Sequence, residues 1–109
     1  MTIDTETRLQ DHVQQIANTL TKGFGDKLNI DNQPLDGFDY LQDALDIEYI
    51  VNKDRDYLGA RVLVAFGGPN IWINTRTKLV EGYWWGEYAK ASFDDGIGLD
   101  EALNTLWSC

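Results

Sequence analysis

The stretch Phe66–Gly86, FGGPNIWINTRTKLVEGYWWG, constrains the fold of this chain more than any other part of it. A Gly67-Gly68-Pro69-Asn70 turn opens onto an apolar run at 71–75. A second turn, Thr75-Arg76-Thr77-Lys78, leads to another at 79–85. Turn residues at this spacing between short β-prone runs specify antiparallel hairpins, and at least one Gly of the first turn is expected to need a positive φ. Three of the four Trp fall inside the stretch. Trp84 and Trp85 are adjacent, so on a continuous strand they point to opposite faces and cannot both be core. The expected division puts Trp72, Tyr83 and Trp85 under the helices, with Trp107 completing the core. It leaves Trp84, with Tyr88 beside it, partly exposed as a recognition anchor.

The flanking segments supply what covers the hairpins. Leu9, Val13, Ile16, Ala17 and Leu20 recur at helical spacing, predicting a helix over about residues 4–22, capped by Thr2 or Asp4 and stopped by Lys22-Gly23. Residues 23–34 are a turn-rich connection. Phe38, Leu41 and Leu45 then mark a short helix with Asp36 as N-cap, whose other face is Asp39, Gln42, Asp43 and Asp46. From Ile47 the period changes to two, and Ile47, Tyr49 and Val51 alternate as in a strand. The polar 52–56 segment reads as a hairpin loop. Residues 57–66 form the most apolar strand, with Val62, Val64 and Phe66 on one face. Residues 87–93 extend the sheet or add an edge strand before Asp94-Asp95-Gly96. Leu99, Ala102, Leu103, Leu106 and Trp107 form the stripe of a closing helix. The expectation is a single α+β domain over residues 1–109, a small antiparallel β-meander of three to four strands packed against N- and C-terminal helices.

The chain has 109 residues, 43% hydrophobic and 12% aromatic, the composition of one folded domain with a real core. No apolar run approaches the roughly 20 residues that span a bilayer. The polar start argues against a signal peptide, and the lone Cys109 points to a reducing, cytoplasmic setting. The net charge of −9 is uneven: residues 31–56 carry eight acids and two bases, residues 57–80 three bases and no acid. Such a surface repels nucleic acid and anionic lipid and attracts a basic one. The alternative is that the acids only keep the protein soluble.

Residues with chemical potential do not assemble into a site. His12 has neither a second His nor a nearby nucleophile, and Cys109 lacks electropositive neighbours. Gly67-Gly68-Pro69-Asn70 has no Lys-Ser/Thr and is followed by a strand, unlike a phosphate loop; Gly96-x-Gly98 is too short for a dinucleotide fingerprint. Asp26, Asn29, Asp31 and Asn32, and the pair Asp54 and Asp56, miss the calcium-loop spacing. No catalytic, cofactor-binding or metal-binding residue is expected.

The runs Gly67-Gly68-Pro69-Asn70-Ile71-Trp72-Ile73-Asn74-Thr75 and Val80-Glu81-Gly82-Tyr83-Trp84-Trp85-Gly86, with Leu45-Asp46-Ile47-Glu48-Tyr49 upstream, resemble a group of short acidic proteins of bacteriophages and other mobile elements. That resemblance implies a genetic setting in which small acidic proteins inhibit host defence, anti-CRISPR and anti-restriction proteins among them. The expected partner is therefore a protein with a basic surface, a CRISPR-Cas effector or other defence nuclease. Asp36, Asp39, Asp43, Asp46 and Glu48, with Asp54 and Asp56, are the candidate phosphate-imitating carboxylates, and Trp84 and Tyr88 the candidate aromatic contacts. The rival expectation is a phage accessory module that binds a partner or itself through the aromatic hairpin, as monomer or homodimer.

Overall fold

The computed structural model describes residues 5–109, with side chains from residue 8 onward. The elements are α1 (Thr5–Lys22), α2 (Gly37–Leu41), β1 (Asp46–Val51), β2 (Tyr57–Ala65), β3 (Asn70–Asn74), β4 (Leu79–Trp84), β5 (Glu87–Ser92) and α3 (Leu99–Ser108). The two residues expected to cap α1 lie outside the described residues. The strands form one antiparallel sheet in the order β1-β2-β3-β4-β5. The α+β class and the meander follow the expectation, but there are five strands rather than three to four. The fifth exists because Trp85 and Gly86 are the two central residues of a tight turn, with φ 53° and 77°. Positive φ at both is the condition of a type I′ turn, which matches strand twist and sends residues 87–92 straight back along β4.

Cross-strand register sorts the side chains between two faces. Ile47, Val62, Ile73, Val80 and Ala91 stand in one row and face the helices. α1 lies on β4 and β5, α3 packs on β2, and α2 packs on α3. Leu9, Val13, Ala17 and Leu20 of the α1 stripe are all buried. Their close seat depends on Gly82 in β4, where an added Cβ would lie 2.8 Å from both Leu9 Cδ1 and Val13 Cγ1. In the β2–β3 connection Gly67 takes φ 98°, the positive value expected of that turn. Asp95 heads α3, its two carboxylate oxygens accepting the Leu99 and Asp100 N–H groups at 2.8 Å each. That acid occupies the unsatisfied first turn of the helix.

The aromatic residues divide differently from the expectation. Trp84 has the same strand parity as Gly82 and packs half-buried against the core. Trp85, in the turn, belongs to neither strand face and is 85% exposed. Tyr83 is exposed on the uncovered face of the sheet. Trp72 is on that face too, with the Arg61 guanidinium 4.2 Å above its ring. Trp107 is partly exposed and stacks on Tyr49 at 5.3 Å. A register shift between Leu63 and Ala65 breaks the alternation of β2, so Phe66 leaves the face of Val62 and is 72% exposed.

Candidate functional site

The acidic segment is built around a very short helix. Asp36 Oδ1 accepts from the Asp39 N–H at 3.1 Å, and Asp39 Oδ2 accepts from the Asp36 N–H at 2.9 Å. This is a capping box with Asp in the return position, and it fixes both carboxylates at the head of α2. Asp43 follows α2 and has no hydrogen bond or ion pair among the described residues. Asp46 opens β1, an edge strand, and its carboxylate accepts only from the neighbouring Ile47 N–H at 2.9 Å. Between Lys27 and Lys53 the chain has six acids and no base. Asp36, Asp39, Asp43 and Asp46 therefore form an acidic flank without a cationic partner among the described residues.

The remaining three carboxylates do not extend that flank freely. Glu48 is held by Arg61 at 2.7 Å. Asp54 pairs with Lys53 at 3.1 Å, and Asp56 accepts from Asn52 Nδ2 at 3.1 Å. Both lie in the β1–β2 loop, at the other end of a six-residue strand from Asp46. At about 3.4 Å per residue that separation is roughly 20 Å. The seven acids are thus four at one end of β1, two at the other and Glu48 between them in an ion pair, rather than one surface.

Trp84 and Tyr88 are not brought together either: they project from opposite faces of the β4–β5 hairpin. Tyr88 instead lies against Tyr83, ring centroids 5.1 Å apart. Its hydroxyl donates to Glu81 at 2.6 Å, and chiefly through that bond its pKa is pushed up to about 12. The most exposed aromatics are Trp85 and Phe66, at turns on the same end of the sheet. Sequence reasoning missed both. The signal for Trp85 is a residue-Gly pair between two alternating segments, masked because two aromatic rings in a row equally fit a continuing strand.

His12 is exposed on α1, and Cys109 is exposed just beyond the end of α3. Among the described residues no group of three or more His, Cys, Asp or Glu side chains is placed to hold a metal ion, and no helix is long and apolar enough to cross a membrane. The arrangement offers two carboxylates held at the head of α2, exposed aromatic side chains at turns on one end of the sheet, and a cavity next to α2. Comparison with protein-family models, curated proteins and solved structures finds no match to this chain.

Proposed function

We propose that the protein is a non-catalytic inhibitor of the anti-CRISPR type, which binds the basic, nucleic-acid-handling surface of a bacterial defence nuclease. The observation that carries this reading is the flank Asp36, Asp39, Asp43 and Asp46, four carboxylates with no cationic partner among the described residues, two of them anchored by their own capping box. Preformed anionic oxygens can occupy the place of phosphates against Arg and Lys, and in low dielectric such charge-assisted bonds are strong and directional. The phage-like resemblance of the hairpin motifs supports the genetic setting. Trp85 and Phe66 supply the apolar anchors that charged interfaces still need.

The test reverses Asp43 and Asp46 to Lys and measures inhibition of a panel of RNA-guided nucleases. These two positions are chosen because neither belongs to the capping box, whereas reversing Asp39 would also break its return bond from the Asp36 N–H. Loss of inhibition with an unchanged melting temperature is the expected result. Undiminished inhibition of every susceptible nuclease sinks the reading.

A second reading rests on the exposure of Trp85 and Phe66: an accessory module that binds a non-nuclease partner, or a second copy, through the aromatic end of the sheet. Light scattering separates the two. A tight dimer that persists at high salt and dissociates on Trp85→Ala favours the second reading.

A further inference from the structure

A cavity of about 600 Å³ opens beside α2. That lies within the roughly 300–1,000 Å³ of pockets that take small ligands. Phe24 and Tyr40 form an aromatic wall, their ring centroids 5.9 Å apart and inclined by 35°. Leu35 and Val64 add apolar lining, and Asp39 and Asp43 border the same space. The rim is a self-supporting loop. Asn29 Oδ1 accepts from the Asp31 and Gln33 N–H groups at 2.9 and 3.0 Å, and the Asn29 N–H donates to the Gln33 carbonyl at 2.8 Å. At its tip Ile30 borders the opening with its side chain fully exposed.

The polar groups inside are unevenly satisfied. Asp39 Oδ2 is already used by the Asp36 N–H and, weakly, by Asn29 Nδ2 at 3.4 Å. Among the described residues Asp43 has no hydrogen-bond partner, and neither carboxylate forms an ion pair. Burial raises the Tyr40 pKa to about 12, so its phenol is a neutral donor at any physiological pH.

We propose that this cavity is the receptor for one arginine side chain of a basic protein partner. The proposal deepens the inhibitor reading and rests on it for the identity of the partner, not for the chemistry of the cavity. Aromatic faces and carboxylates around a common space suit a cation with a flat, weakly hydrated head, which stacks and forms forked bonds at once. A lysine ammonium is compact and strongly hydrated, and gains less from the Phe24–Tyr40 wall. Leu35, Val64 and Ile30 are placed to cover the methylene stem that carries the head. The chain binds one of its own arginines in this manner: Arg61 lies 4.2 Å over the Trp72 ring while its guanidinium bonds Glu48 at 2.7 Å. A cavity framed by its own loop has little ordering entropy left to lose on binding.

The test titrates the ¹⁵N-labelled full chain with N-acetyl-arginine amide, with N-acetyl-citrulline amide as the neutral isostere and N-acetyl-lysine amide as the ammonium control. The expected result is saturable shifts centred on the amides of Asn29, Tyr40, Gln42 and Asp43. Citrulline should leave them unmoved, lysine should bind several-fold more weakly, and Asp43→Asn should weaken arginine binding about tenfold or more. Shifts spread over every acidic stretch without saturation, or citrulline binding as well as arginine, would overturn it. So would an Asp43→Asn chain that binds arginine like the parent. Arginine binding without inhibition of any nuclease removes the functional reading and leaves the cavity assignment standing. Inhibition without arginine binding does the reverse.

Discussion

Two neighbouring tryptophans have opposite fates, and the difference is a matter of one dihedral. Trp84 ends β4 facing the core, while Trp85 takes φ 53° and is carried out of the sheet. Trp84→Ala should cost about 2–3 kcal/mol, below the 3–5 of a fully buried ring because Trp84 keeps part of its surface in water. Trp85→Ala should stay within about 0.5 kcal/mol of the parent, and should weaken partner binding instead. Thermal melts of the two variants check this, and a lower melting temperature for Trp85→Ala than for Trp84→Ala would reverse the assignment. Tyr57 carries a second prediction at this scale. Its hydroxyl donates to Asp100 at 2.6 Å, tying β2 to α3, and burial first and that bond second hold its pKa well above the usual 10. Folding favours the neutral phenol, so the contribution is complete below pH 10 and is lost as pH rises beyond it. Urea unfolding should therefore show stability falling above about pH 10, more shallowly in Tyr57→Phe than in the parent. Equal slopes for the two proteins would mean that Tyr57 titrates normally.

At the scale of elements, α2 is too short to be stable by itself and depends on its cap. Asp36→Ala removes the acceptor for the Asp39 N–H and should cost about 1 kcal/mol. The Asp36 N–H that holds Asp39 Oδ2 is backbone and stays in place, but one carboxylate of the acidic flank is gone, so the same variant should also weaken binding, measured by calorimetry beside the melt. Gly82→Val tests how α1 is seated: the new side chain would meet Leu9 and Val13, and a loss of about 2 kcal/mol in chemical denaturation is expected from overpacking. The sequence made some of this legible. The α1 stripe, the Asp36 cap, the apolar β2 and the closing helix all announce themselves through periodicity or cap residues, which are local signals. What stayed hidden was set by pairing. The break in β2 alternation shows only in the register against β3; residues 87–93 offer an edge strand in the sequence, but the turn at Trp85-Gly86 that makes it a separate strand carries no Asn, Asp or Pro to mark it. For the candidate site, the acids were visible but not their division. Nor was the cavity, whose walls come from Phe24, α2 and β2, far apart in sequence.

The whole molecule is a two-layer slab, 23 Å in its thinnest direction, with helices on one face of a single sheet. In a meander the connections alternate between the two ends of the sheet, and here the ends differ in charge. The β1–β2 and β3–β4 connections, residues 52–56 and 75–78, contain Lys53, Arg55, Arg76 and Lys78 against Asp54 and Asp56, and β5 runs out into Asp94 and Asp95 at the same end, which is therefore balanced in charge. At the other end, Asp43 and Asp46 lead into β1 and Glu87 begins β5, and residues 42–46, 66–69 and 85–87 contain no base. A basic partner approaching from solution is therefore oriented as well as attracted, since field and net charge do not share a centre. This separates two explanations of acidity that net charge alone leaves together. Asp43→Lys with Asp46→Lys and Asp54→Lys with Asp56→Lys each change two residues by two charges, so both move the net charge from −9 to −5. If acidity acts only through total charge, the two variants lose association rate equally at every ionic strength. With the acidic end as the docking end, the first variant should lose both rate and affinity and show a flatter salt dependence. The second should keep the parent's affinity and change only modestly in rate, because its charges lie roughly 20 Å away, beyond the ~8 Å screening length at physiological salt. Association and dissociation rates measured between low and physiological salt decide the matter, and identical behaviour of the two variants would remove the acidic end as the binding surface.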